Sequence, residues 1–250
     1  MADCLRLIDS LPYYRAVKRR SCELLELAPG LSVLDVGCGL GDDVRRMARL
    51  VAPGGRAVGL DASRGLLSKA RPRGAEPCAF VLSDARRMPF ADGSFDRCRT
   101  ERTLQHLPDP AGAVREMARV LKPGGVMLAY DNDWETFSVD SRDPETAAAL
   151  RRFWRDSFRS GRVGASLGGY FRDAGLRDVR VVSATSVIRD FGLAARLYNL
   201  RETARRAAER GLIEAAAGRE WVADLLARSA RGCFACFLTA YTAVGRRDGV

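Results

Sequence analysis

The chain has 250 residues, 47% of them hydrophobic, and a formal net charge of +10. That length buries the core of one α/β domain, and neither a run of about twenty apolar residues nor an apolar signal core is present, which argues against a spanning helix and against export. The positive charge is almost wholly arginine scattered through every segment, with lysine only at 18, 69 and 122, so a concentrated nucleic-acid-binding face is not indicated.

Residues 4–28 carry apolar side chains at helical spacing, among them Leu5, Ile8, Leu11, Val17, Leu24 and Leu27, with an interruption at Pro12-Tyr13-Tyr14. This predicts one or two helices ahead of the first strand. Ser32 to Val44 then reads S-V-L-D-V-G-C-G-L-G-D-D-V. Its apolar run is that of a strand buried on both faces, broken by glycines at 37, 39 and 41, with Asp42 and Asp43 opening a helix. Strand, glycine turn and helix together place backbone N–H groups and a helix N-terminus at the carboxyl edge of a sheet, where α/β proteins bind ligands. The turn Gly37-Cys38-Gly39-Leu40-Gly41 is one residue tighter than the dinucleotide fingerprint G-x-G-x-x-G. Asp35, just before it, suits an amine, and Asp61, about twenty residues past it at the end of the strand Arg56–Asp61, suits a ribose.

A helix from Ser63 to Arg71 and a strand over Cys78–Leu82 follow, the latter ending at Ser83-Asp84-Ala85. Phe95 to Thr100 reads as a fourth strand, less apolar than its neighbours because Arg97 and Arg99 alternate in it. Ala111 to Leu121 is a periodic helix ended by Lys122-Pro123-Gly124-Gly125, and Val126–Asp131 is a fifth strand. Asp131, Asn132, Asp133 and Trp134 are thereby expected in a polar segment on the ligand side of the sheet.

Helices are predicted over Asp143 to Gly161, Leu167 to Ala174, Leu193 to Arg210 and Glu214 to Arg231, with strands over Val179–Ile188 and Cys233–Val244. Arg151, Arg155, Arg159 and Arg162 share one helix face, a solvated basic face or an anion site. Seven cysteines, at 4, 22, 38, 78, 98, 233 and 236, are odd in number and irregular in spacing. They imply reduced thiols and a cytoplasmic location. In Cys233-x-x-Cys236 the two thiols would face opposite sides of a strand, and His106 is the only histidine, so no metal site is expected.

From about Leu31 to Asp131 these motifs, with the run Arg119-Val120-Leu121-Lys122-Pro123-Gly124-Gly125, resemble the class I S-adenosylmethionine-dependent methyltransferases, especially the small-molecule family that includes the ubiquinone and menaquinone methyltransferases. The resemblance implies a Rossmann-like, seven-stranded, mostly parallel sheet with helices on both faces. It implies S-adenosylmethionine as cofactor, bound by Asp35, Gly37, Cys38, Gly39, Gly41, Asp61, Ala62, Asp84, Ala85, Thr100, Arg102 and Tyr14, with Asp84 and the N–H of Ala85 on the adenine. Residues 1–28 would form a lid segment, residues 31–131 the cofactor core, and His106, Asp131 and Asp133 would be the candidate proton acceptors. His106 is read as base, substrate hydrogen-bonder or structural residue. The family's last two strands form a hairpin, yet here residues 189–232 intervene; this helical insertion is expected to cover the substrate or to form a dimer interface. The acceptor is expected to be a small molecule. A protein or nucleic-acid acceptor and a non-catalytic binder stay open as alternatives. The nucleic-acid readings are disfavoured because Thr100-Glu101-Arg102-Thr103 stands where amino-methyltransferases of DNA carry Asn/Asp-Pro-Pro-aromatic, and Pro77-Cys78 precedes the third strand instead of following the fourth.

Overall fold

The computed structural model describes residues 2–71 and 78–249, so that Pro77 lies outside the described residues. The chain opens with α1 (Ala2–Ser10) and α2 (Pro12–Leu24), divided where Pro12, which has no N–H to donate, takes the first turn of α2. Strand and helix then alternate through β1 (Ser32–Val36), α3 (Asp42–Val51), β2 (Arg56–Asp61), α4 (Arg64–Ala70) and β3 (Cys78–Leu82). β4 (Phe95–Glu101) passes through a 3-10 turn (Leu104–His106) into α5 (Pro110–Val120), which begins where the Asp109 carboxylate accepts from the N–H of Gly112 at 2.8 Å. After β5 (Leu121–Val139) come α6 (Pro144–Asp156), α7 (Val163–Asp173), β6 (Leu176–Ile188), α8 (Phe191–Leu197), α9 (Leu200–Glu209), α10 (Ala215–Ala230) and β7 (Cys236–Arg247).

The strands form one sheet in the order β3-β2-β1-β4-β5-β7-β6. β1 to β5 are parallel, and β7 runs antiparallel to both β5 and β6. The expected mostly parallel seven-stranded sheet is thus formed, and its order reverses beside β1, so the carboxyl ends of β1 and β4 diverge into a crevice. β1 is buried along its whole length. Leu34, Val36, Cys98 and Met127 pack one face of the sheet against Met117 of α5 and Phe171 of α7. Val33 and Leu128 pack the other against Leu25, Val44 and Met47. A third cluster is aromatic: Trp134 and Phe137 of β5 meet Tyr14, Phe191, Tyr198, Trp221 and Phe234. Among the described residues no helix is long and apolar enough to cross a membrane.

Four expectations are corrected. β5 does not end at Asp131. It continues to Val139 because β7 pairs with it past that point, Asp131 opposite Tyr241 and Asp133 opposite Thr239, so the polar segment is strand and not loop. The helix from Asp143 stops at Asp156, where a turn over 157–162 leads to an earlier start of α7 at Val163. The single helix predicted from Leu193 to Arg210 is two, broken at Tyr198-Asn199, where Asn199 adopts a left-handed conformation (φ +49°) that asparagine tolerates better than most residues. Cys233 is exposed and precedes β7, which begins at the buried Cys236. Three helices therefore stand between β6 and β7, and the excursion leaves and re-enters the sheet at neighbours, since Ile188 is the register partner of Cys236.

α7 presses on the end of β5 through a glycine. A Cβ at Gly164 would lie 2.9 Å from backbone atoms of Asp131 and Asn132, whereas one at Gly169, on the same helix, would meet nothing within 4 Å. Gly164→Ala should therefore destabilise the protein by about 1–3 kcal/mol through overpacking. Gly169→Ala should stabilise it by roughly 0.5–1 kcal/mol by the gain in helix propensity. Urea denaturation of the two variants measures both.

Candidate functional site

Three adjacent strands end at the glycine turn's side of the crevice. Gly37, Gly39 and Gly41 have φ of +78°, +55° and +74°, a region in which a side chain is strained. The N–H groups of Gly37 and Cys38 donate to the Leu60 carbonyl at 2.7 and 3.0 Å, which locks the turn to β2. Asp61 braces it from the side: one carboxylate oxygen accepts from the N–H of Gly39 and the other from that of Ser63, each at 2.8 Å. Ala62 is exposed beside it. At the end of β3, Asp84 is exposed, and its carboxylate is held below the usual range by hydrogen bonds from the side chain and backbone N–H of Arg86. Ala85 is buried beneath it. A tight turn of backbone donors, flanked by carboxylates one and two strands along one edge, fits a nucleoside with a ribose and an exocyclic amine.

Asp35 is buried. Its carboxylate accepts from the Arg99 guanidinium at 2.9 Å inside the protein, with both side chains 3% exposed. Arg99 also contacts Asp43 at 3.5 Å, Glu101, and the Ser21 hydroxyl of α2 at 2.8 Å. Lys18, also on α2, donates to Asp43 at 2.6 Å. Burial alone would lower the pKa of Arg99, but the surrounding carboxylates outweigh this and raise it. Burial pushes Asp35 up to about 6 against the pull of Arg99. Asp43, which burial alone would also raise, is held at about 2 by Arg99 and Lys18. The amine partner predicted from sequence is thus already engaged by an internal cation. Arg99, one of the two arginines that weaken the fourth-strand pattern, is the trace of this cluster. Lys18, Asp43 and Glu101 give no sequence signal as its members.

Thr100 is turned inward, its hydroxyl donating to the Val36 carbonyl at 3.0 Å. Arg102 adopts a left-handed backbone (φ +52°), its N–H donates to the Tyr130 carbonyl at 2.7 Å, and its guanidinium lies 5.2 Å from the Tyr14 ring centre. Tyr14 is buried and meets Tyr13 edge-on at 5.1 Å. The hydroxyls of Tyr13 and Tyr130, and of Tyr14 and Tyr198, approach each other, yet those of Tyr13, Tyr130 and Tyr198 make no well-formed hydrogen bond among the described residues. Burial raises the pKa of Tyr14, Tyr130 and Tyr198, so all three are neutral phenols at pH 7.

His106 sits exposed on the 3-10 turn, with its ring 5.5 Å from Phe158. Phe158 stacks on Trp134 at 4.5 Å. Trp134 donates its indole N–H to the side-chain oxygen of Gln105 at 2.7 Å, which fixes the orientation of that amide. The Gln105 amide nitrogen then faces the Arg102 carbonyl and, at 3.2 Å, Nε2 of His106. His106 Nε2 must accept there, so in the neutral ring the proton resides on Nδ1. Crowding by its neighbours and then the Arg102 charge keep the ring below its usual pKa and hence neutral at pH 7. Asp131 holds the same turn from below, accepting from the N–H groups of Gln105 at 3.2 Å and Asn132 at 3.0 Å. It is fully buried, and desolvation pushes it up to about 7. Asp133 is 6% exposed, accepts from the N–H of Glu135 at 3.0 Å, and is raised by burial. The basic face is partly neutralised, since Arg155 and Arg162 both pair with Glu135, at 2.7 and 2.8 Å.

The family described as "Methyltransferase domain" matches residues 34–129. An uncharacterised 37.1 kDa protein in transposon Tn4556 of Streptomyces fradiae is 36% identical over 247 residues, covering 98% of this chain and 70% of that protein. The demethylmenaquinone methyltransferase of Staphylococcus aureus is 33% identical over 139 residues, 55% of this chain and 58% of that enzyme. In fold, the crystal structure of the YcgJ protein from Bacillus subtilis matches with a TM-score of 0.63 at 22% identity, over 94% of this chain and 99% of that one.

Two outcomes follow from the buried charges. Arg99→Met leaves Asp35, Asp43 and Glu101 without their shared cation, and should destabilise the fold by about 3–5 kcal/mol at pH 7.5 in urea titrations, with a smaller loss at acid pH where the orphaned carboxyls take up protons. Asp131 ionises near its ordinary value of 3.8 in the unfolded chain but near 7 in the folded one. The folded state therefore binds more protons between those values, and this group's contribution to stability falls as pH rises through that window and is constant above it. Thermal melts at a series of pH values should show a flatter profile for Asp131→Asn than for the parent protein.

Proposed function

Since the chain belongs to the class I S-adenosylmethionine-dependent methyltransferases, we propose that it methylates a small molecule, a secondary metabolite or a quinone-like ring, held beneath α8, α9 and α10. One observation carries this reading. The carboxyl ends of β4 and β5 meet an aromatic group, Trp134, Phe137, Phe158 and Tyr198, and the helices between β6 and β7 pack against that group beside His106. Aromatic walls with a few oriented polar atoms suit a planar acceptor. The Staphylococcus aureus relative takes its name from demethylmenaquinone, which supports a ring substrate.

When bound, S-adenosylmethionine supplies a methyl group on a sulfonium, ready for in-line displacement. The turn at Gly37, Cys38, Gly39 and Gly41, with Asp61, Ala62, Asp84 and Ala85, would hold its nucleoside. Tyr14 and Arg102 would border its amino-acid end, and Asp35 and Thr100 would act there only through the side chains and backbone they brace. His106 presents an Nδ1 proton, so its role is to donate a hydrogen bond that orients the acceptor, with Asp131 as a positioning residue beneath the turn. The cover excludes water from the reacting atoms.

The test is incubation of the purified protein with S-adenosylmethionine and a library of quinones, phenols and metabolite extract, read by mass spectrometry for products one CH₂ heavier. Methylation confined to protein or nucleic acid would overturn the small-molecule reading. With the acceptor in hand, His106→Gln should lower kcat/KM about tenfold, the worth of one hydrogen bond, and leave the pH profile unchanged. A loss of roughly 10²-fold or more, together with loss of the acidic limb of the profile, would make the imidazole a base instead.

A further inference from the structure

Two of the three tryptophans of this chain, Trp154 and Trp221, bury an indole N–H that meets no acceptor among the described residues, and Nε of Arg151 does the same. The third, Trp134, has its N–H on Gln105. Trp154, Trp221 and Arg151 all line one cavity of about 20 Å³, at the seam between the helical insertion and the body of the fold. Trp221 comes from α10, Thr203 from α9, Arg151 and Trp154 from α6, and Phe137 from β5. Trp221 is 3% exposed and Thr203 7%.

The three unsatisfied groups can only donate. An indole N–H and a guanidinium offer no lone pair, and the one other polar side chain in the lining is the Thr203 hydroxyl, which can donate as well as accept. Buried donors left without an acceptor are costly, and a native structure satisfies them with protein, water or a bound ion. Volume limits the choice: a cavity of that size holds roughly one particle of water's dimensions and excludes a ring or a carboxylic acid. Chemistry narrows it further. A water accepts from two donors and brings two protons that need acceptors of their own, for which the lining side chains supply only Thr203. A monatomic anion accepts from every donor around it and needs no acceptor. Charge agrees with this, because Arg151 forms no ion pair among the described residues, whereas Arg155, one turn along, pairs with Glu135 and Asp156.

We propose that this cavity binds a small monovalent anion of halide size, held by the N–H groups of Trp154 and Trp221, by Nε of Arg151 and by the Thr203 hydroxyl. The ion ties α9 and α10 to α6, so the insertion is fastened to the body by electrostatics as well as by aromatic packing. Trp154 also meets Trp134 edge-on at 5.6 Å, and the site therefore adjoins the aromatic group proposed to hold the acceptor.

Crystals of the full chain soaked in sodium bromide should give an anomalous peak in the cavity, within hydrogen-bonding reach of Trp154, Trp221 and Arg151. In solution, replacing gluconate, which is too large for the cavity, by chloride at constant ionic strength should raise the thermal midpoint along a single-site saturation curve, since a ligand bound only by the folded state stabilises it. Trp221→Phe and Arg151→Met, which remove one donor each, should weaken the halide affinity read from that curve at least tenfold. An empty or water-filled cavity at saturating bromide would overturn the inference, whether or not the variants fold. So would a chloride response that both variants share in full with the parent protein, since that response would come from another site.

Discussion

A single buried guanidinium, that of Arg99, ties together the parts of this protein that must not move relative to one another. It joins β4 to β1 through Asp35, to the first turn of α3 through Asp43, and to α2 through Ser21. A charge taken out of water is costly, and the cost is offset here only because three carboxylates and a hydroxyl surround it. The geometry of the glycine turn, which lies between Asp35 and Asp43 in the chain, is therefore set from behind by ion pairing as well as by its own hydrogen bonds to β2. α2 is recruited into the same network by Lys18, so the segment ahead of the first strand is an integral wall of the crevice.

On the far side of the crevice the ordering principle is different. No charge cluster positions His106. A relay of neutral donors does so, from the Trp134 indole through the Gln105 amide to the imidazole, while Asp131 supports the turn on backbone N–H groups. Such a relay has a direction, because an indole can only donate, and the direction fixes which imidazole nitrogen carries the proton. The aromatic residues around it give rigidity without charge.

The strand and helix succession up to Val120 is legible in the sequence because each unit is short and strongly punctuated, as at Asp109-Pro110 and at the glycine turn. The placement of Asp61 and Asp84 is legible for the same reason, since both stand at or just past strand ends. The pairing of Asp35 is hidden because a residue inside a strand can face either side, and its partner, Arg99, is 64 residues away. The extension of β5 past Asp131 is hidden because it depends on β7, more than a hundred residues later, and no local pattern in Asp-Asn-Asp-Trp reads as strand. The break at Asn199 escapes notice because helical periodicity continues across it. Gln105 does so because an uncharged amide gains its importance only from the indole and imidazole it connects.

The position of the three late helices has a consequence for descent. Their excursion starts and finishes on cross-strand partners, Ile188 and Cys236, so the sheet is already closed without them. Lengthening such a segment adds only about 0.6 kcal/mol of closure entropy per doubling. Insertions, deletions and wholesale exchange within that segment can therefore leave the pairing of β6 with β7 in place.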